Sequence, residues 1–303
     1  MWLAVSFQIV IPTLLIGVLA MQRQSSRLRW LVSCVAFGMV IAYMLLSARW
    51  DISSLYLRVV IPIAFVAACV IGYKKIGEAV AGGLLQAVLF WTISLGLIVL
   101  MSGFLWFSVR GNITPDQTVD IHSPLKGKYV VLNGGNSPFT NAHFRVHPQD
   151  FALDIVGVNA VGNRAALFSD SRDLESYVIY GSPIFSPCDG KISAVVDDLP
   201  DYIPPDRDTE NPAGNHVLIE CEGYEVLLAH MLQGSVAVNV NDEITGGSLL
   251  GKVGSSGNTS EPHLHIHAER GGEPGVILDG QAVPITIAGR YLVRNSIFQV
   301  EFR

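Results

Sequence analysis

The chain has 303 residues, of which 50% are hydrophobic and 15% are charged, and its formal net charge is −6. This acidic balance argues against a nucleic-acid partner, because contact with phosphates needs a basic surface. The mean hydropathy of +0.40 is high for a soluble protein. Nearly all of the apolar excess lies before Arg110. The composition therefore predicts two domains that face different solvents.

The first part of the chain consists of four apolar segments, over residues 2–21, 30–48, 55–73 and 82–109. Each approaches or exceeds the ~20 residues that a helix needs to cross a bilayer. The first segment has no Lys or Arg before it, whereas a signal peptide begins with a basic region. The sequence predicts an N-terminal α-helical transmembrane bundle of about four helices over residues 1–109.

The charges between these segments predict an orientation. Three arginines follow the first segment, and Lys74 and Lys75 follow the third. Because basic loops remain on the cytoplasmic side, both termini are expected outside. The prediction is a multi-pass protein of the cell (inner) membrane, with the C-terminal domain extracytoplasmic from about Gly111. Three or five spans would reverse this orientation.

The rest of the chain shows the short apolar runs of an all-β protein. Residues 110–128 are polar and contain Pro115 and Pro124, which indicates a linker. Residues 129–303 alternate Val-, Ile- and Leu-rich runs with Gly, Asn, Asp and Pro, as in an antiparallel sheet domain. A long Asp- and Pro-rich insertion, residues 197–215, is expected to be a loop, and an autoinhibitory lid is one hypothesis for it. Cys188 and Cys221 are expected either to form a disulfide or to be two buried thiols.

All eight histidines of the chain lie in this second part. The densest group is His263-Leu-His265-Ile-His267. On a strand, alternate side chains share one face, so these three imidazoles would line one surface. A metal site is one interpretation of such a surface, and an exposed polar strand face is the other.

The run from Gly257 to His267 resembles the His-x-His signature of the lysostaphin-type zinc metalloendopeptidases, which cut peptidoglycan cross-bridges. Further pieces resemble the same family in the same order, and together they cover about residues 141–269. They are residues 151–155, 181–192, 214–219, 227–231 and 247–254. The resemblance implies an all-β peptidase domain that binds Zn²⁺ and cleaves peptide bonds outside the membrane, in peptidoglycan or in another peptide.

The resemblance also implies roles for single residues. Asp154 and His265 correspond to zinc ligands, and three protein ligands leave a fourth position for water. His230 and His263 correspond to the residues expected to perform general acid–base work and to stabilise the oxyanion.

The first zinc ligand departs from the commonest family pattern. The position four residues before Asp154 holds Asp150 rather than a histidine. His143 and His147 remain as candidates. We prefer His143, because Asn141-Ala-His143 resembles the Asn-x-His of one branch of the family.

The sequence bears on two alternative functions. A non-catalytic scaffold or activator of other cell-wall hydrolases would follow if the ligand set were incomplete, and the uncertain first histidine is the opening for it. A transport or sensory role is disfavoured because the apolar segments contain almost no ionisable residues. Among the remaining histidines, His216 is expected to be structural, His267 to point to the rim of the groove, and His122 to be solvated.

Overall fold

The computed structural model describes residues 2–77, 83–166, 169–170 and 172–300, with the side chains of residues 2–5 excepted. The expected start of the fourth apolar segment, Gly82, and the last three residues of the C-terminal domain lie outside this description. The chain forms two compact units, Met1–Val109 and Arg110–Arg303. Each unit is described by itself.

The first unit is helical. Its described helices are α1 (Trp2–Met21), α2 (Arg27–Ser47), α3 (Leu57–Tyr73) and α4 (Leu84–Arg110). Within the described residues, α2 and α4 are long and apolar enough to cross a membrane, while α3 and the part of α1 from Ser6 are shorter apolar helices. Two of the four predicted spans therefore meet the requirement of a membrane helix by length and composition.

Close backbone contacts and a few polar side chains hold this unit together. Gly72 of α3 approaches α1 so closely that a Cβ atom there would lie 2.5 Å from the carbonyl oxygen of Leu19. Trp30 donates a hydrogen bond from Nε1 to the carbonyl oxygen of Cys69, at 3.2 Å, and so links α2 to α3. The side chain of Ser26 accepts a hydrogen bond from the amide of Arg29 and caps α2.

The second unit is an antiparallel β domain, as the sequence predicted. Its described strands are β1 (Val119–Ile121), β2 (Gly127–Asn133), β3 (Leu153–Gly157), β4 (Pro183–Phe185), β5 (Gly190–Val196), β6 (Asn215–Cys221), β7 (Tyr224–Met231), β8 (Glu243–Ile244), β9 (Leu249–Lys252), β10 (Leu264–Arg270), β11 (Gln281–Val283), β12 (Ile285–Ile287) and β13 (Ile297–Val300). A 3₁₀ turn covers Leu174–Ser176.

Most of these strands form one sheet in the order β13-β2-β3-β10-β7-β6-β5-β8, with β11 paired to β10. Strands β4 and β9 form an antiparallel pair, and β1 runs parallel to β12. Strand β1 lies in the segment that the sequence assigned to a linker. Part of that segment therefore belongs to the folded domain, through a pairing with residues far along the chain.

The two faces of the main sheet have different roles because side chains alternate along each strand. Leu153, Ile155, Leu264 and Ile266 point into the apolar core. Their neighbours Asp154 and His265 point to the opposite face. Cys188 and Cys221 also belong to this core and form a disulfide, with their Cα atoms 6.1 Å apart. The disulfide is thus the alternative that the structure adopts.

Candidate metal centre

The centre of the site is a direct cross-strand pair. Asp154 of β3 and His265 of β10 are register partners in adjacent antiparallel strands. Both side chains are buried, and His265 Nδ1 lies 2.9 Å from Asp154 Oδ1. Residues opposite each other in a sheet have Cβ atoms only ~5 Å apart, so the sheet register alone brings this carboxylate and imidazole together.

His143 reaches the same carboxylate from a loop. Its Nε2 atom lies 2.9 Å from Asp154 Oδ2. The loop is fixed by buried Asn141, whose side-chain amide donates to the carbonyl oxygens of Gly135, Asp150 and Ala152. The Oδ1 atom of Asn141 accepts from the amide of His143 at 3.0 Å. The hydrogen bonds of buried Asn141 thus fix the position of His143.

His147, the alternative first ligand, lies elsewhere. Its side chain is 64% exposed, and its Nδ1 atom lies 3.2 Å from Asp150 Oδ2. The structure therefore brings His143, and not His147, to Asp154.

His230 reaches the site through an irregularity in β7. Between the register pairs Asn215–Met231 and Val217–Leu228, two residues of β7 oppose one residue of β6. His230 is the second of these two and has a left-handed φ of +61°. A non-glycine residue in this conformation costs about 1–3 kcal/mol, and such strain concentrates at functional sites. The bulge turns the imidazole toward His263, with ring centroids 4.7 Å apart.

His263 lies just before β10 and is oriented by its own loop. Its Nδ1 atom lies 2.9 Å from the carbonyl oxygen of Glu261 and 3.0 Å from Thr259 Oγ1. Its Nε2 atom lies 3.4 Å from Asp154 Oδ1. Nδ1 of His230 is similarly 2.8 Å from the carbonyl oxygen of Ser256. In both histidines Nδ1 contacts backbone oxygen, which leaves Nε2 as the nitrogen available to the site.

Two polar contacts that the sequence did not reveal support the site. Asn133 donates from Nδ2 to Asp154 Oδ2 at 2.7 Å, and its Oδ1 atom accepts from Arg294 Nη2 at 2.6 Å. Arg164 and Glu261 form a buried ion pair that anchors the segment before His263. Local sequence pattern does not reveal these contacts, because the partners are far apart in the chain, by 161 positions for Asn133 and Arg294.

The pKa values of the groups in this cluster are shifted in different directions. Burial alone would raise the pKa of Asp154, but the charges and hydrogen bonds of His143 and His263 hold its pKa well below the usual range. Burial lowers the pKa of His230 well below its ordinary value and lowers the pKa of His265 to about 3. Burial also opposes protonation of His263, yet the Asp154 carboxylate raises its pKa.

A pocket of about 320 Å³ opens onto this cluster. The insertion over residues 197–215 contributes Pro212 and Ala213 to its wall, and is tied to the neighbouring turn by the amide of Asp208, which donates to the carbonyl oxygen of Gly257 at 2.9 Å. No Lys, Arg, Asp or Glu is among the described lining residues, which are His143, Val146, Gln149, Pro212, Ala213, Leu227, Ala229, His230, Asn258, His265 and Leu278.

The side chains present fit a zinc ion. Nδ1 or Nε2 atoms of His143 and His265 and a carboxylate oxygen of Asp154 lie within 4.8 Å of one another, as do ring nitrogens of His230, His263 and His265. Imidazole nitrogen and carboxylate oxygen are normal zinc ligands, and a set of three protein ligands is typical of a catalytic zinc site. The chemistry of the donor set thus agrees with the group that the family resemblance implies.

The structure agrees with the expectations for two further histidines and contradicts the expectation for a third. His216 is buried and its Nδ1 atom lies 2.7 Å from the carbonyl oxygen of Gly214, in agreement with a structural role. His122 is exposed, as expected. The expectation for His267 was wrong, because it is only 2% exposed and its Nδ1 atom lies 2.9 Å from His265 Nε2. The loop after β10 covers this part of the sheet, so His267 has no access to a groove rim.

Comparison with known protein families assigns part of the chain to one of them. Residues 174–276 match the model of peptidase family M23. This segment is a peptidase family M23 domain. The family resemblance predicted from the sequence is confirmed. The matched segment contains His230, His263 and His265, whereas His143 and Asp154 precede it. The M23 family consists generally of zinc-dependent metallopeptidases and also includes inactive members.

Several solved structures are similar to the chain. A zinc-containing peptidase from Vibrio cholerae is 24% identical over 31% of this chain and 24% of that chain, with a TM-score of 0.24. Lysostaphin is 20% identical over 34% of this chain and 37% of that chain, with a TM-score of 0.24. The deep-sea M23 metalloprotease pseudoalterin is 17% identical over 55% of this chain and 75% of that chain, with a TM-score of 0.30. The chain thus spans less than half the length of the first two proteins. A comparison with curated proteins gives no match.

Proposed function

We propose that the protein is a membrane-anchored, zinc-dependent endopeptidase that cleaves peptide bonds outside the membrane, in peptidoglycan cross-links. One observation carries this proposal. Nε2 of His143 and Nδ1 of His265 each lie 2.9 Å from an oxygen of the Asp154 carboxylate, beside two further histidines at the end of an open pocket. A metallopeptidase needs this combination of metal ligands and proton-transfer groups.

His143, Asp154 and His265 would hold the zinc. When bound by these residues, a zinc ion would polarise the scissile carbonyl and lower the pKa of the attacking water. Asn133 supports this set from outside, since its amide donates to the Oδ2 atom of Asp154 and keeps the carboxylate in place.

His230 and His263 would move the protons. Their Nδ1 atoms contact backbone oxygens, and their rings lie 4.7 Å apart. One imidazole, neutral and with its N–H on Nδ1, would accept the proton of the attacking water at Nε2 and deliver it to the leaving amine, while the other, in its doubly protonated form, would donate from Nε2 to the oxyanion. Because neither imidazole belongs to the proposed ligand set, both remain available for these steps.

The pocket supports a substrate with small uncharged groups next to the scissile bond. Leu227, Ala229 and Ala213 form an apolar patch beside His230, and the described lining contains no acid or lysine that would pair with a charged side chain. This composition suits a peptide chain built from small residues better than a strongly charged one.

The membrane anchor is part of the proposal. We assign all four apolar helices as spans with both termini outside, on the basis of their apolar composition and the basic residues after α1 and α3. The tether would confine hydrolysis to a layer near the bilayer. Protease treatment of intact spheroplasts is expected to remove residues 110–303 and to leave a protected helical fragment. Survival of the intact C-terminal unit would contradict this orientation.

Digestion of purified peptidoglycan tests the proposed activity. The full chain in detergent, supplied with equimolar zinc, is expected to release new amino termini and shortened cross-linked peptides. His265→Ala should abolish the release, and His147→Ala should match the wild type. A zinc-loaded wild-type chain that yields no new termini from peptidoglycan would contradict the endopeptidase and favour a scaffold that binds the wall without cutting it.

A further inference from the structure

Strand β10 carries a row of three buried polar side chains. His265, His267 and Glu269 are alternate residues and share one face of the strand. Nε2 of His265 lies 2.9 Å from Nδ1 of His267, and Nε2 of His267 lies 2.8 Å from Oε1 of Glu269. All three are buried. Buried polar groups require partners, and here each supplies the partner of the next.

The far end of the row is fixed by backbone. The amide of Leu278 donates to Glu269 Oε1 at 3.0 Å, and the amide of Gly280 donates to Oε2 at 2.7 Å. A Cβ atom at Gly280 would lie 2.8 Å from the Cβ of Glu269, so this close approach requires glycine. Leu278 also lines the pocket above the histidines. Glu269 therefore connects the strand to a loop that borders the proposed substrate site.

The number of protons determines the direction of the hydrogen bonds. A carboxylate only accepts, and a neutral imidazole carries one N–H. Glu269 therefore takes the N–H from Nε2 of His267, which leaves Nδ1 of His267 as an acceptor for the N–H on Nε2 of His265. The lone pair of His265 then lies on Nδ1, which is 2.9 Å from Asp154 Oδ1.

This arrangement leaves one contact without a proton. Three contacts join Asp154, His265, His267 and Glu269, but two neutral imidazoles supply only two N–H groups. The contact that lacks an N–H is therefore the one between Asp154 and His265, and a cation between these two groups would replace the proton. His143 contacts the same carboxylate.

We propose that His267 and Glu269 are positioning residues, which hold His265 in the tautomer whose Nδ1 faces the metal. The statement about metal rests on the proposed function, whereas the tautomer of His267 does not. An outer carboxylate that accepts from a ligating histidine is a common device at zinc sites. In this chain a second imidazole lies between the ligand and the carboxylate.

The first test reads the tautomer directly. Long-range ¹H–¹⁵N NMR of the full chain in micelles, labelled at histidine, is recorded at pH 7.5 with and without zinc. The expected result is a neutral His267 protonated at Nε2 in both states, and mixed tautomers of His267 in Glu269→Gln. Protonation of His267 at Nδ1 in the wild type would overturn the proposal, whether or not zinc binds.

The second test measures zinc affinity by competition with a chelator. Glu269→Gln is expected to weaken zinc binding by about 10–100-fold, the usual effect of losing an outer-shell partner. The double variant His267→Glu with Glu269→Gln moves the carboxylate next to His265 and should restore affinity to within about threefold. Exposed His147→Ala is the control and should equal the wild type. Unchanged affinity in Glu269→Gln would overturn the role toward zinc. A wild type that binds no zinc would instead overturn the proposed function, and the NMR result would still decide the tautomer.

Discussion

Asp154 and His265 are separated by 111 positions in the chain, yet they are register partners on adjacent strands with 2.9 Å between Oδ1 and Nδ1. A buried carboxylate oxygen and an imidazole nitrogen at this distance need a proton or a cation between them. The pair is therefore the part of the site that responds most directly to the loss of a charge.

Replacement of the carboxylate by its neutral isostere tests this pair. Asp154→Asn keeps the side-chain shape but removes the charge, so zinc affinity should fall by more than about 100-fold, beyond the range typical of outer-shell changes. Asn133→Ala removes only a hydrogen bond to the carboxylate and should cost about 10–100-fold. Competition with a chelator measures both. Equal losses in the two variants would argue against Asp154 as a direct ligand.

The two histidines outside the ligand set should separate binding from chemistry. His230→Ala and His263→Ala are expected to retain zinc while turnover falls by about 10²–10⁴-fold, the usual contribution of general acid–base catalysis. The measurements are metal content and the rate of release of peptidoglycan amino termini at saturating substrate. Loss of zinc together with activity would instead make these residues ligands.

The disulfide should stabilise the C-terminal unit. Cys188 and Cys221 close a loop with a sequence separation of 33, and a disulfide of this kind contributes about 2–4 kcal/mol to the free energy of unfolding. Replacement of both cysteines by serine is expected to lower the unfolding midpoint of the β domain. A reducing agent should lower the wild-type midpoint to that of the variant and leave the variant unchanged. A wild type insensitive to reduction would contradict a stabilising disulfide.

His216 should make the metal-free domain less stable in mild acid. Burial lowers the pKa of His216 in the folded state, so below about pH 6.5 the unfolded chain binds a proton that the folded chain does not. Stability is therefore complete above this pH and falls as the pH decreases toward the folded-state pKa, by up to about 1.4 kcal/mol per pH unit. The chelator-treated protein should show a midpoint that decreases from pH 7.5 to 5, with a smaller decrease in His216→Gln. An identical decrease in that variant would exclude His216 as a source.

The sequence predicted those parts of the site that depend on local pattern. Alternation along β10 predicted the common face of His263-x-His265-x-His267, and the Val-, Ile- and Leu-rich runs predicted the antiparallel sheet. Periodicity does not report what covers a strand. The burial of His267 follows from the loop that contains Leu278 and Gly280, which donate to Glu269.

Contacts between residues that are far apart in the chain could not be predicted from local sequence pattern. The pairing of β1 with β12 joins residues that are 166 positions apart, as in Asp120 and Thr286, and such a pairing leaves no local signal in a polar segment. The position of His143 depends on Asn141, whose amide contacts three backbone carbonyls. The spacing of the two candidate histidines from Asp154 could not show which of them this loop presents.

Zinc content is the most direct test of the account. The full chain, purified with histidine variants and incubated with equimolar zinc, is passed over a desalting column and analysed by mass spectrometry for metals. We expect about one zinc per chain in the wild type and in His147→Ala, and little in His143→Ala and His265→Ala, because three protein ligands form a catalytic zinc site. A wild type without zinc, or a His265→Ala variant with the same zinc content as the wild type, would contradict the account.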